Sequence, residues 1–364
     1  MGQRTTRRAA SKTAMTLTSA SRGSLRRSGL HFVTDNVAGI TRKRRGGGFR
    51  YLGPSGRTLH TAAVLRRIAR LVIPPAWTRV WICRDARGHI QATGLDARGR
   101  KQYRYHDDWT AERETLKFNE LAEFAQVLPR IRKQVRRDLR RPGLPRERVL
   151  AAVVYLMERT LIRVGNDQYA RTNRSYGATT LRKRHVSVRG ERVRIEFQGK
   201  SGVAHEISVR DGRLSRVVES CQELPGQDLF EYVADDGAIG RIRSNDVNDY
   251  LQAISGKEVT AKSFRTWAGT VLAARALAAI GPAETVTAAR RNIAEGVRQV
   301  AAELGNTAAV CRRSYIHPHV LAAYRAGDLT DAPAPARPRS RAAGLSREER
   351  WVLRILKTRR KSKR

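Results

Sequence analysis

Across 364 residues, 72 Lys and Arg face 33 Asp and Glu, a net charge of +39. A chain so basic repels itself unless it meets a polyanion, so DNA or RNA is the expected partner. No apolar run approaches the roughly 20 residues of a membrane span. Cys83, Cys221 and Cys311 are scattered, which argues against a zinc site or a disulfide framework and for reduced thiols in an intracellular protein. The length suits two domains plus tails, and 40% hydrophobic residues suffice for a core.

Residues 1–30 contain no acidic residue and seven Arg or Lys among Ser and Thr. Organelle transit peptides and basic arms on DNA share this composition. The lack of an apolar stripe at helical spacing favours the arm, outside the fold. From His31 to Trp109 the signals are strand-like. Arg42–Tyr51 sets five basic residues and two aromatics around a glycine run. Thr58–Val72 fits a helix, with Leu65, Ile68, Leu71 and Val72 at 3–4 spacing, stopped by Pro74-Pro75. Val80–Cys83 and His89–Thr93 read as short strands. Basic and aromatic residues then alternate through Gly99-Arg-Lys-Gln-Tyr-Arg-Tyr105, so a strand puts Gln102 and Arg104 on one face and Tyr103 and Tyr105 on the other. Arg and Lys suit phosphates, while Gln and Tyr reach base edges.

After Trp109 the period becomes helical. Thr110–Leu128, Arg130–Leu139 and Pro145–Ile162 show apolar residues at 3–4 spacing, and Arg163 is expected to terminate the third run, where it complements the helix dipole. His185–Val209 alternates as three strands, with Gly199-Lys-Ser-Gly202 as the second turn. The Gly-Lys-Ser is no phosphate loop, because position 194 is Arg where that motif needs Gly and no helix follows. That leaves Lys200 exposed at a hairpin tip. Ser263 is expected to cap a helix burying Phe264, Trp267, Val271 and Leu272, with Arg265 off the stripe in the first turn. Thr285–Leu304 follows, with Ile293, Val297, Val300, Ala301 and Leu304 on one face. Gly305 closes that helix, and Asn306-Thr307 caps a short one carrying Tyr315 behind Arg312 and Arg313, ended by Pro318. A Pro-rich linker follows Thr330, and Ser346–Arg364 reads as a basic amphipathic helix through Trp351, Leu353 and Leu356.

A lone tyrosine is usually a packed ring with a tethered hydroxyl, but a phenol in cationic surroundings can also be a nucleophile. Arg163, Lys200, Arg265, Asn306 and Tyr315 lie in that order along the helical part, in the motifs Leu161-Ile-Arg-Val-Gly165, Phe197-Gln-Gly-Lys200, Lys262-Ser-Phe-Arg-Thr266 and Leu304–Pro318. Together with the Gly99–Tyr105 strand, they resemble the active-site set of type IB DNA topoisomerases, in the compact form of poxviruses and bacteria, over residues 31–329. The resemblance implies an α+β fold: a small β-rich N-terminal domain (31–109) and a mainly α-helical catalytic domain (110–329) with an inserted β-hairpin sheet. A basic arm (1–30) and a linker with a basic tail (330–364) would flank them, the tails adding salt-dependent DNA affinity.

The resemblance further implies a monomer closing as a clamp on double-stranded DNA, in the cytoplasm with the nucleoid. It implies a nucleophilic Tyr315, a 3′-phosphotyrosyl intermediate and a released 5′-hydroxyl. Arg163 and Arg265 would neutralise charge gained at phosphorus, each guanidinium presenting a donor fork. Asn306 would donate to a non-bridging oxygen, and Lys200 would protonate the leaving alkoxide. Arg100, Lys101, Gln102, Tyr103 and Tyr105 would contact DNA. Bond energy is kept in the phosphotyrosine, so no ATP, metal or other cofactor is expected. Many relatives have His where this chain has Asn306, and an amide cannot serve as a general base. Tyrosine recombinases share much of this logic but usually place His three residues before the second Arg, where this chain has Lys262. A non-enzymatic basic chromatin protein is the other alternative, and for it Tyr315 would be dispensable.

Overall fold

In the computed structural model, which describes residues 23, 25, 28–97, 99–329, 331–334 and 344–361 (side chains except those of 113–117, 119 and 358–361), the chain divides after Lys117 into two compact units. Most of the expected N-terminal arm, and the ends of the linker and tail, lie outside the described residues. In the first unit the basic stretch around the glycine run folds back on itself. Strands β1 (Ile40–Arg45) and β2 (Gly48–Leu52) pair antiparallel, with Arg45 opposite Gly48. Gly46, at φ 54°, supplies the left-handed backbone that so tight a turn needs.

Helix α1 (Ala62–Arg70) and strands β3 (Thr78–Ile82), β4 (Ile90–Leu95) and β5 (Lys101–Tyr105) complete an antiparallel sheet in the order β2-β1-β3-β4-β5. Ile68 of α1 packs on Ile40, Val80, Ile82 and Ala92. The helix is shorter than its apolar spacing suggests. Val72 turns back at φ 46° and is 69% exposed, reversing the chain ahead of Pro74, which cannot continue a helix. The arm also ends earlier than expected: Leu25 and Leu30 are buried against Trp109, and Leu30 N donates to Leu25 O.

Helix α2 (Asp107–Asp138) is continuous through Pro129, where two separate runs were expected. Proline removes one backbone bond, but Phe124, Leu128, Ile131 and Val135 are buried on both sides of it and hold the helix together. In the second unit α3 (Arg146–Thr160) is central, with every residue from Val149 to Met157 buried. The short helix α4 (Asp167–Asn173) precedes the sheet β6 (Val186–Arg189), β7 (Arg192–Gln198), β8 (Ala204–Arg210), which pairs antiparallel in that order. Val193, Ile195 and Phe197 point into the core, as their alternation requires.

Helix α5 (Gly212–Glu223), the small hairpin β9 (Glu231–Val233) and β10 (Ile239–Arg241), and α6 (Ser244–Ser255) follow. Then come α7 (Ala261–Ile280), α8 (Val286–Leu304), α9 (Ala308–Ser314) and α10 (Pro318–Ala326). The expected apolar face of α8 is buried throughout, and Thr285 caps it by accepting from Ala288 N. The last helix, α11 (Arg347–Lys361), does more than a basic tail would. Trp351, Val352, Ile355 and Leu356 are buried in the same core as α3 and α7, so this helix is part of the second unit. The architecture is α+β, and no helix among the described residues is long and apolar enough to cross a membrane.

Candidate active site

A helix that ends leaves its last carbonyls without intrahelical donors. In the second unit, α3 ends with Leu161 left-handed at φ 57°, and α8 ends at Gly305, also at φ 57°. One buried guanidinium serves both ends. Arg265 is 6% exposed, donates through Nη1 to Leu161 O, and through Nη2 to Leu304 O at 2.7 Å. Its Nε is buried and has no hydrogen-bond partner among the described residues. The sequence places Arg265 off the apolar stripe, in a first turn. In fact α7 is capped at Thr260, whose N–H donates to Ser263 Oγ, so Arg265 falls in the second turn and faces inward.

Arg163 is half-buried and lies two residues beyond the C-cap of α3, not in its last turn. Its Nη2 donates to Asn306 Oδ1 and, at 3.5 Å, to Gly305 O at the end of α8. The loop carrying Arg163 is pinned from behind. Ala178 N donates to Arg163 O at 2.8 Å, and Thr179 donates to Val164 O through N and Oγ1 at 2.7 and 2.8 Å. Gly177 is required there, since a Cβ would come within 2.5 Å of Arg163 O.

Asn306 occupies the turn between α8 and α9. Its Nδ2 donates to Leu304 O at 3.3 Å, and its backbone N–H to Ala301 O. Thr307 Oγ1 accepts from Val310 N and starts α9, and Tyr315 is the C-cap of that helix. The Tyr315 ring is half-buried with Arg265 Cζ 5.1 Å from its centroid, close enough for a cation–π contact. The cation over the ring thus comes from α7, while Arg312 and Arg313 are exposed. The Tyr315 backbone rests on α7 as well. Thr270 Oγ1 stands 3.3 Å from Tyr315 O and accepts from His317 N, and a Cβ on Gly269 would lie 2.8 Å from Tyr315 O.

Four of the five expected residues therefore share one cluster. Lys200 stands apart, exposed on a 3-10 turn (Lys200–Gly202) between β7 and β8, with no hydrogen bond or ion pair among the described residues. The two arginines mark the local field. Burial, reinforced by Arg163, lowers the pKa of Arg265, although the Tyr315 phenol works the other way. Burial and then the charges of Arg163 and Arg265 hold His205 below the ordinary imidazole range. The sequence reading passed over His205. Its only early signal was its register in the strand, opposite Phe197.

In the first unit, β5 is an edge strand, and Tyr103 and Tyr105 stack at 5.8 Å on one face, as alternation predicts. Arg104, between them, donates to Val72 O at 2.7 Å, whereas the basic side chains that precede them have acidic partners. Lys101 Nζ lies 2.6 Å from Asp35, and Arg100 pairs with Asp96, to which Gln102 Nε2 also donates at 2.9 Å. Tyr103 is 40% exposed. Among the described residues no group of three or more His, Cys, Asp or Glu is placed to hold a metal ion.

The family model of the eukaryotic DNA topoisomerase I catalytic core matches residues 102–328, and that of the bacterial DNA topoisomerase IB N-terminal domain matches residues 48–96. DNA topoisomerase 1B of Acanthamoeba polyphaga mimivirus is 34% identical over 296 residues, covering 79% of this chain and 88% of that protein. DNA topoisomerase 1B of vaccinia virus (strain Copenhagen) is 26% identical over 116 residues, 32% of this chain and 37% of the viral protein. DNA topoisomerase 1 of Mycosarcoma maydis is 25% identical over 192 residues, 47% of this chain and 19% of that protein. With the first match reaching past half the chain and the mimivirus likeness spanning most of both proteins, the chain belongs to the type IB DNA topoisomerase family.

Proposed function

We propose that this topoisomerase relaxes supercoiled DNA as a monomer, cutting one strand through Tyr315 and resealing it without ATP or metal. The observation that carries the reading is Arg265. Its guanidinium is buried over the Tyr315 ring, two of its nitrogens are anchored on main-chain carbonyls, and its Nε is unpartnered. A buried cation with a spare donor is suited to an anion arriving beside the phenol.

The chemistry follows from charge. Tyr315 Oη attacks phosphorus, and negative charge grows on the non-bridging oxygens. Arg265 and Arg163 face that charge with rigid donors already in place, so little reorganisation is needed in the transition state. Asn306 accepts from Arg163 through Oδ1, while its Nδ2 donates to Leu304 O and bonds Cys311, so the phosphate takes an Nδ2 hydrogen in exchange for one of these partners. The amide takes no proton, so the phenol loses its proton to water. The P–O5′ bond breaks, and the departing oxygen takes a proton from Lys200. Resealing reverses each step: the 5′-hydroxyl attacks the phosphotyrosine, Lys200 recovers the proton, and Tyr315 leaves. Arg100, Lys101, Gln102, Tyr103 and Tyr105 would grip the duplex, with Lys101 exchanging Asp35 for a phosphate.

The test is relaxation of a negatively supercoiled plasmid in EDTA without nucleotide. Full relaxation in topoisomer steps is expected. Binding without relaxation, or recombination between two sites, would instead favour the chromatin-protein or recombinase readings. A second expectation concerns Gly177. Its φ of −157° is open to any residue, so Gly177→Ala acts by pushing on the loop behind it, at Arg163 O and at the Gly165 backbone. Displacing Arg163 by about 1 Å should slow single-turnover cleavage by up to about 10²-fold while DNA affinity stays within a few-fold. An unchanged cleavage rate would remove the Arg163 loop from the account.

A further inference from the structure

His205 faces the candidate site from β8, and its surroundings are unusually specific. The ring stacks on Phe197, its cross-strand partner, with centroids 4.9 Å apart and planes 11° from parallel. Its edge meets two glycines. A Cβ on Gly199 would lie 2.6 Å from both Cδ2 and Nε2 of the ring, and one on Gly305 would lie 3.1 Å from Cε1. Gly305 needs its left-handed backbone in any case. Gly199 does not, since its φ is −90°, so the imidazole is the main neighbour that keeps a side chain out of that position.

The imidazole is therefore wedged between the turn that precedes Lys200 and the turn that precedes Asn306. These two turns are otherwise unlike. The Asn306 turn is tied by hydrogen bonds to Arg163 and to α8, whereas Lys200 is exposed at a hairpin tip. Burial, Arg163 and Arg265 all disfavour a charge on the ring, so it adds packing without a further cation. A neutral wedge suits a place where one side of the contact must stay put and the other must be held to it.

We propose that His205 is a positioning residue for strand cleavage: its ring seats the Lys200 turn against the Asn306 turn, so that the lysine reaches the departing 5′ oxygen of a phosphate held by Arg163 and Asn306. The inference rests on reading Lys200 as the general acid. Loss of the ring leaves Lys200 present but loosely placed, and misplacement of a catalytic group by about 1 Å costs about 10²-fold in rate.

The experiment measures single-turnover cleavage of two duplexes that differ only at the scissile linkage, one with the ordinary bridging 5′ oxygen and one with sulfur in its place. A thiolate leaves without a proton, so a defect in proton delivery disappears with sulfur. Wild type, Lys200→Ala, His205→Ala, Gly199→Ala and the Gly199→Ala/His205→Ala double variant are compared. His205→Ala and Gly199→Ala are each expected to cleave the oxygen duplex about 10- to 100-fold slowly and the sulfur duplex at nearly the wild-type rate. The double variant should be less impaired than the product of the two single defects, because the new methyl takes space the ring has left. If His205→Ala is as fast as wild type, or equally slow on both duplexes while Lys200→Ala is rescued by sulfur, the inference is overturned and the general-acid reading survives. If sulfur does not rescue Lys200→Ala, the general-acid reading fails and the inference with it. Should His205→Ala not fold, Gly199→Ala decides alone: sulfur-rescued slowing supports the inference, and any other result overturns it.

Discussion

A Tyr315→Phe enzyme is expected to bind duplex DNA with wild-type affinity and to relax none of it. The phenyl ring keeps the packing and backbone contacts that anchor the residue and gives up the hydroxyl's hydrogen bond with Arg265. Arg265 still lies over the ring, Thr270 still meets the Tyr315 carbonyl, and the backbone N–H still donates to Cys311 O. Only the attacking oxygen is lost. Removing a covalent nucleophile typically costs more than about 10⁴-fold, and water cannot substitute because it would leave a hydrolysed strand instead of a resealable one. Plasmid relaxation beside a DNA-binding titration checks both halves. Residual relaxation above about one part in 10⁴ would mean that another group attacks.

The second large effect is on stability, and it concerns α11. Arg132, 4% exposed on α2, donates to Glu349 through Nη1 and Nη2 at 2.9 and 2.7 Å, to Glu158 through Nε at 2.7 Å, and to Gly344 O. Glu349 also accepts from Trp267 Nε1 and from Ser346 N. Burial alone would raise the Glu349 carboxyl, but the bonds and charge of Arg132 outweigh it and hold the group below the usual range. Removing Glu349 takes a carboxylate acceptor from two Arg132 nitrogens and from Trp267 Nε1. It leaves the buried guanidinium with Glu158 as its one carboxylate, a loss of up to about 3–5 kcal/mol. Glu349→Ala should therefore lower the stability of the second unit by that order in denaturant unfolding. Replacing Arg132, Glu158 and Glu349 together by apolar residues of similar volume should recover most of it. The pH dependence has a definite sign. A carboxyl depressed in the folded state stabilises above its unfolded pKa near 4.3, and this is lost as pH falls through the folded value. Glu349→Gln should accordingly flatten the acid limb of the stability curve. A Glu349→Ala protein as stable as wild type would mean that α11 is dispensable to the fold.

Trp267 links the two predictions, because it lies on α7 two residues beyond Arg265. The anchored C-terminal helix therefore buttresses the helix that holds the guanidinium over Tyr315. In the sequence the end of the chain reads as a basic amphipathic helix through Trp351, Leu353 and Leu356, but spacing alone does not say that its face of Trp351, Val352, Ile355 and Leu356 joins the core of the second unit.

Elements whose stability lies in their own periodicity were legible. The three strands of the inserted sheet and helix α8 follow from alternation and from 3–4 spacing, and both stand where expected. The order Arg163, Lys200, Arg265, Asn306, Tyr315 was visible as well, through likeness to a family. What stayed hidden depends on partners far along the chain. Arg265 is off the apolar stripe yet buried, because its real partners are carbonyls at two helix ends, Leu161 and Leu304. The spacing of Val72 suggests a helix that in fact ended two residues earlier, because the prolines mark a stop without fixing the residue at which the chain turns back. Pro129 looked like a break and is bridged by core contacts on either side. His205 looked like one polar residue in an alternating strand. Its role depends on two glycines, one six residues before it and the other a hundred residues after it.

The most direct measurement of the central claim is to map the covalent protein–DNA adduct. A duplex whose short downstream 5′-hydroxyl strand diffuses away after cleavage traps the intermediate, and proteolysis followed by mass spectrometry locates the attachment. The account predicts a single modified peptide with Tyr315 joined to the 3′-phosphate end of the cut strand, formed in EDTA and absent from Tyr315→Phe. Attachment at any other residue, or at a DNA 5′ end, would contradict it.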